Sequence, residues 1–254
     1  MSMVLSELIG EEIFEARLIE QEEESIDGNF IKYQKMTNEY EPKGISKKLI
    51  ETKICNAQTG NRVQEGVEES DFELDEHGNI TVEKMSIDCG VIESMRKMDI
   101  AYSTTYGPGN RVETISKESP DKKSAMRKSY LYDCRSNICS IIFDEITEQR
   151  NAIKLVGDIR ICNIWRDSEG NILSVIFIRA DHKNMIYTEG HYMFDYDINT
   201  GMLKRIYLLQ PGTMPDPNNE EYISMNDDTI TAVSCTVDNE GTVLAKKTLI
   251  FKRY

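Results

Sequence analysis

The chain has 254 residues, 39% of them hydrophobic and 29% charged, with a formal net charge of -14. That composition excludes a disordered chain and leaves enough apolar material for a sizeable core. The acidic balance speaks against nucleic acid as a ligand, because phosphate contacts need Lys and Arg to displace counterions; it fits a protein partner with a basic surface, or plain solubility.

No apolar run approaches the length of a membrane-crossing helix, and Met1 to Gly10 has neither the basic start nor the apolar core of an export signal. The expectation is therefore a cytoplasmic protein with no membrane partner. Six cysteines, at 55, 89, 134, 139, 162 and 235, include no C-x-x-C pair. In that setting they read as reduced core thiols, with Cys134 and Cys139 the pair placed to face each other across a turn.

In chain order, Val4 to Glu20 opens on an ambiguity. Leu5, Leu8, Ile9, Ile13 and Ala16 fit a helical stripe, while Ile13 to Ile19 equally suits a strand paired with Phe30 to Lys35. A short helix followed by a strand is the preferred reading. The acidic run Glu20 to Glu24 reads as a solvated element end, or as a lure for a basic partner.

From residue 30 the pattern is strand after strand, rich in Val, Ile, Thr and Tyr with Gly, Asn and Asp between. The expected strands are Phe30 to Met36, Leu49 to Cys55, Arg62 to Glu65, Asp71 to Leu74 and Ile80 to Ile87. Next come Ile100 to Tyr106, Arg111 to Lys117, Lys128 to Tyr132, Ile138 to Ile146 and Ile159 to Trp165. Ile172 to Arg179, Met185 to Tyr187, His191 to Tyr196, Met202 to Leu209, Thr229 to Val237 and Val243 to Lys252 complete the series. Two segments read as loops: Lys117 to Lys128, a basic island around Pro120, and Gln210 to Asp228, with three prolines and five acidic residues.

The turns between strands repeat a chemistry. Asp75-Glu76-His77-Gly78-Asn79-Ile80, Asp167-Ser168-Glu169-Gly170-Asn171-Ile172 and Asp238-Asn239-Glu240-Gly241-Thr242-Val243 share one form. An Asp opening a type I turn caps backbone N–H groups, and the Gly three residues on supplies the left-handed residue of a bulge that twists the returning strand. Gly60-Asn61-Arg62, Gly109-Asn110-Arg111, Asp27-Gly28-Asn29 and Asp197 to Gly201 vary the theme. In Asp133-Cys134-Arg135-Ser136-Asn137-Ile138 the Gly is lost, and Asn137 is expected at the left-handed position. The eight turns recur roughly every 30 residues, a spacing that suits a hairpin and its connection. The fold class that follows is all-β and mainly antiparallel. A single domain over residues 1–254, of about eight hairpin units, would form a meander in a large twisted sheet or open barrel.

Sites are harder to read. Asp195, Asp197 and Asn199 offer oxygens at alternate positions, as a calcium loop does. Gly201 falls one place late for that loop, and Ile206 stands where a bidentate Glu is required, so a hairpin turn is preferred and no metal or cofactor is expected. His77, His182 and His191 have no metal-ligand spacing. No P-loop, G-x-S-x-G or dinucleotide glycine motif occurs, so no catalytic residue is named. Trp165, Tyr192, Phe194 and Tyr196, with Tyr102, Tyr106, Tyr130 and Tyr132, read as core and cross-strand aromatics or as a binding platform on a sheet face. Asp216, Glu220, Glu221, Asp227 and Asp228 are the acidic binding candidates of the Pro-rich loop.

Phe194-Asp195-Tyr196-Asp197 with Gly201-Met202-Leu203, and Tyr130-Leu131-Tyr132-Asp133, resemble the tyrosine–aspartate (YD/RHS) hairpin repeats of bacterial toxin-associated proteins, of the form Y-x-Y-D-x-x-G-R-L. The match is good at one copy and partial at two or three, and it implies repeated antiparallel hairpins. The leading functional expectation is a non-catalytic binding protein, of the immunity type that neutralises a basic toxin domain. A carbohydrate- or lipid-binding sheet with an aromatic face comes second, and a carboxylate-dependent hydrolase third.

Overall fold

A computed structural model describes residues 10–12, 14, 16–88, 96–149, 152–155, 157–181, 183, 185–201, 203–209, 220–225, 228–238, 240 and 242–253. Among the described residues, seventeen strands form one sheet. The first nine are β1 (Arg17–Asp27), β2 (Phe30–Glu41), β3 (Gly44–Asn56), β4 (Arg62–Leu74), β5 (Ile80–Asp88), β6 (Arg96–Tyr106), β7 (Val112–Glu118), β8 (Ala125–Tyr132) and β9 (Ile138–Gln149). The rest are β10 (Ala152–Leu155), β11 (Ile159–Arg166), β12 (Ile172–Ala180), β13 (Ile186–Tyr196), β14 (Leu203–Leu208), β15 (Glu220–Met225), β16 (Thr229–Val237) and β17 (Val243–Lys252). The described ladders are all antiparallel, and the all-β hairpin meander expected from the sequence is what forms.

The chain divides into two compact units. One comprises Met1–Asp71, Met85–Lys97 and Phe194–Tyr254; the other comprises Phe72–Lys84 and Met98–Met193. In the first, β1 pairs with both β2 and β17, so the opening and closing strands of the chain are neighbours. Its core holds Ile206, Ile230, Ala232, Leu249 and Phe251. Residues 10–12 and 14 are helical, and Phe14 meets Phe251 edge-on with ring centroids 5.1 Å apart. Gly10 lies against the same ring: a Cβ there would come within 2.6 Å of it, so only glycine allows the close approach. The second unit packs Ile141, Cys162, Ile164, Val175, Phe177 and Tyr192 into its own core.

The turns work as their chemistry requires. Asp75 Oδ1 accepts the N–H groups of His77 at 2.9 Å and Asn79 at 2.8 Å, and Gly78 takes φ 87°. Asp133, Asp167 and Asp238 repeat the two bonds, and so does Asp181, a copy hidden in the sequence by Asn184 and Met185 in place of Gly and polar. In the Asp133 turn it is Ser136, at φ 70°, that occupies the left-handed position, not Asn137. Asn137 instead bonds back to Asp133, as Asn79 and Asn171 do to theirs. Gly241 lies outside the described residues.

Several boundaries differ from expectation. Arg62 to Glu65 and Asp71 to Leu74 are one strand, β4, and Met185 to Tyr187 merges with His191 to Tyr196 into β13. In β4 the intervening residues are mostly polar yet alternate between faces and pair along β3, so ladder bonds outweigh apolar content. The basic island is a hairpin: Lys117 lies in β7 and Lys128 in β8, and Ser119 N–H bonds Ser124 O across the turn. Within Gln210 to Asp228, residues 220–225 form β15. Glu20 to Glu24 is the middle of β1 rather than an element end.

Candidate functional site

That acidic strand organises the most distinctive surface of the first unit. Registers across β17, β1, β2, β3 and β4 align two rows of outward side chains. One row runs Thr248, Glu22, Lys35, Glu51, Val67, and the other runs Lys246, Glu24, Tyr33, Lys53, Glu65. Directly opposite residues in a ladder share a face, and residues two apart on a strand lie side by side on it. Between the rows, Lys247, Glu23, Gln34, Thr52 and Gly66 turn their side chains to the other face, with Gly66 having none to turn. Their backbone forms the floor of a trough that crosses five strands and encloses about 580 Å³. With strands about 4.8 Å apart, the trough is roughly 20 Å long.

Four carboxylates line it (Glu22, Glu24, Glu51, Glu65) against three ammonium groups (Lys35, Lys53, Lys246), while Glu23 contributes only backbone to the floor. Lys35 Nζ lies 3.1 Å from both Glu22 and Glu20. Glu22 foremost, then Glu20, holds that ammonium above its ordinary pKa by accepting its hydrogen bonds. Glu65 is engaged by Arg62 from its own strand. The side chains of Glu24, Glu51, Lys53 and Lys246 form no hydrogen bond or ion pair among the described residues. Tyr33 and Val67 add exposed apolar surface at the walls. The trough can thus offer an extended ligand unspent carboxylates, unspent ammonium groups and two apolar contacts. It holds no nucleophile with an adjoining base.

The residues singled out from the sequence are scattered. Trp165 is 48% exposed, whereas Tyr192 and Phe194 are 4% and 5% exposed. Trp165 pairs with Ser174 while Tyr192 pairs with Val175, the next residue on β12, so the two aromatics occupy opposite faces of the sheet. An aromatic platform joining them is therefore corrected: Tyr192 packs edge-on against Phe177, 6.0 Å between centroids, as core. Tyr196 is half-buried. Glu220 and Glu221 stand in β15 opposite Tyr207 and Ile206, Asp228 is exposed with its carbonyl bonded by Arg253 N–H, and Asp216 and Asp227 lie outside the described residues.

Asp197 Oδ1 takes the N–H groups of Thr200 at 3.0 Å and Asn199 at 2.9 Å, bonds that hold the carboxyl below its usual range. This is turn chemistry. Among the described residues no group of three or more His, Cys, Asp or Glu side chains is placed to hold a metal ion. Cys55, Cys134, Cys139, Cys162 and Cys235 are free thiols. His77 stacks edge-on against Tyr106, His191 pairs with Ile176, and His182 lies outside the described residues.

Sequence reasoning missed Glu83, a fully buried carboxylate. It accepts the Tyr102 hydroxyl at 2.7 Å and the Lys117 ammonium at 2.8 Å. Nothing in the polar-rich run around it marks that residue as the inward one of β5.

No family model matches the chain, and no curated protein matches it. Among solved structures it is similar to a porin-like protein from Bacteroides uniformis, at 8% identity over 93% of this chain and 95% of that one, with a TM-score of 0.49. The cytoplasmic expectation is corrected and is not carried forward. It had rested in part on the lack of an apolar helix long enough to cross a membrane; none occurs among the described residues, but that says nothing of strands that cross.

Proposed function

We propose that the protein is a non-catalytic binding protein whose trough across β17 and β1–β4 receives an extended polypeptide segment carrying basic side chains. The observation behind this reading is the pair of side-chain ladders: they flank a backbone floor, and four carboxylates stand among them against three ammonium groups. Glu24 and Glu51 bring charge that the protein itself leaves unused. The net charge of -14 adds long-range attraction for a cationic partner. A toxin-neutralising inhibitor is the particular form of this function that the tyrosine–aspartate repeat resemblance implies.

The test is calorimetric titration with a short Lys-Ser repeat peptide and its Glu-Ser counterpart. Only the basic peptide is expected to bind, and the double variant Glu24→Lys/Glu51→Lys should weaken it by more than about tenfold, that is 1.4 kcal/mol. The pair Glu76→Lys/Glu240→Lys makes the same charge change at exposed turn positions. Equal losses in both double variants would mean a diffuse charge effect and would sink the trough as the site.

A further inference from the structure

The basic island that the first site leaves unused has a place of its own. In the second unit, registers align Ile115, Lys128, Phe143, Arg160, Arg179 and Tyr187 as one row across β7, β8, β9, β11, β12 and β13. The adjoining row on the same face is Tyr130, Ile141, Cys162 and Phe177, of which the last three are buried. On the other side stand Tyr102, Lys117, Met126 and Glu145. One face of this sheet thus passes from a sealed apolar band to a band of cations within two side-chain rows.

A cavity of about 650 Å³ opens there, lined by the side chains of Ile115, Met126 and Phe143 together with Lys117, Lys128 and Arg160. The size lies in the range of small-ligand pockets. Three cations (Lys117, Lys128, Arg160) face two carboxylates (Glu145, Asp158) there, since Arg127 and Asp144 turn their side chains to the other face, a local inversion in a strongly acidic protein. Accessibility sharpens it. Lys117 and Arg160 keep 36% and 39% of their side chains in solvent, whereas their neighbours Glu83 and Asp144 keep 0% and 6%. Asp144 is gripped by Arg127 Nε and Nη2 at 3.0 and 2.7 Å, and Glu83 by Lys117 and Tyr102. Glu83 and Asp144 are thus held out of the opening that Lys117 and Arg160 reach, and Asp158, 33% exposed, is paired with Arg179. Lys128 Nζ lies over the rings of Tyr130 and Phe143, at 5.3 and 5.6 Å, so a cationic head and aromatic faces bound the same space.

We infer that this cavity binds a single-chain anionic amphiphile, its alkyl chain against Ile115, Met126 and Phe143 and its carboxylate or equivalent head at Lys128 and Arg160. Each methylene of such a chain buried against these side chains favours binding, and the charged head adds an attraction that a neutral alcohol lacks. The site is separate from the trough and stands or falls independently of it.

Titration calorimetry with dodecanoate, dodecanol and dodecyltrimethylammonium tests the inference, with circular dichroism confirming that the fold persists. Dodecanoate should bind saturably at one per chain, at least tenfold tighter than the other two. Lys128→Gln/Arg160→Gln should abolish that preference. Because Arg160 also pairs with Glu189 at 3.1 Å, a second variant guards against a folding defect: Met126→Glu changes a well-exposed side chain and should weaken dodecanoate at least tenfold by like-charge repulsion. Equal affinity for all three probes, no saturable binding, or dodecanoate binding unaltered in Met126→Glu would overturn it. Binding that persists in Glu24→Lys/Glu51→Lys keeps this cavity apart from the trough.

Discussion

Glu23 and Lys247 face each other across the first and last strands of the chain, Oε2 to Nζ 3.4 Å, on the side of the sheet opposite the trough. Both are largely buried, and their strands hold the acidic β1 between β2 and β17. Taking one partner away strands a charge in a poorly solvated place. Lys247→Ala should therefore lower stability by about 3 kcal/mol, and Glu23→Gln/Lys247→Met should recover much of the loss. Urea unfolding followed by circular dichroism measures both. A Lys247→Ala effect under about 1 kcal/mol would show that the pair is screened as a surface pair is.

The turn at Asp133 tests the recurring hairpin chemistry. Ser136 carries a φ of 70°, where Gly78 and Gly170 take 87° and 97° at the equivalent position. An L-residue there holds its Cβ against the following carbonyl, at about 1 kcal/mol. Ser136→Gly should stabilise the protein by about 0.5–1 kcal/mol. The reverse change, Gly170→Ala, should cost about the same or more, and purely through the backbone, since a Cβ at Gly170 would meet nothing within 4 Å. Thermal melts of the two variants should move in opposite directions.

How far the sequence could be read follows from where the information sits. The Asp and Gly of each hairpin act within five residues, so Asp75 to Asn79 and Asp167 to Asn171 announce themselves locally. The trough does not. Its rows join residues as distant as Glu22 and Thr248, and register of that kind depends on the whole ladder. Glu20 to Glu24 looked like a solvated end because no apolar residue breaks the run. It is a strand because Lys35 on one side and Lys246 and Lys247 on the other stand opposite its carboxylates. Tyr192 and Phe194 were legible as alternating strand residues, but which face of β13 was core was not, and that decided against a shared surface with Trp165. The island of Lys117 and Lys128 was visible as composition, while its apolar neighbour Phe143 comes from another strand.

The turn aspartates predict an acid dependence. Asp167 is held below the ordinary carboxyl range first by the Asn171 side-chain amide and then by backbone N–H groups, and Asp133 first by the Asn137 N–H. At Asp75 burial pushes upward, yet the Asn79 N–H, the Tyr106 hydroxyl and the His77 N–H together outweigh it. A depressed folded pKa means that the unfolded chain binds the proton more readily, so these turns contribute stability above the unfolded value, about 3.9, and lose it as pH falls through the folded one. Stability should decline below about pH 4. Asp167→Asn keeps the shape of the turn without the titration and should flatten that decline. Carboxyl chemical shifts followed by NMR between neutral and acid pH would reveal midpoints below the ordinary one for all three; ordinary midpoints would remove the argument.

Buried Glu83 predicts the opposite, alkaline, behaviour through Tyr102. The phenol is pushed well above its ordinary pKa of 10.0, first by burial and then by the Glu83 carboxylate that accepts its proton at 2.7 Å. A raised folded pKa contributes stability that is complete below the unfolded value and disappears as pH rises through the folded one. The native state should therefore weaken progressively above about pH 10, as the unfolded chain gives up a proton that the fold retains. Tyr102→Phe should be less stable at neutral pH by about 1–2 kcal/mol, because Glu83 loses a donor, and should lose less on further alkalinisation. Glu83→Leu removes the acceptor for both Tyr102 and Lys117 and should cost about 2–3 kcal/mol, with Lys117→Met restoring part of it. The deciding measurement is unfolding free energy at pH 7 and pH 11 for the three proteins: an unchanged alkaline slope in Tyr102→Phe would mean that another group carries the dependence.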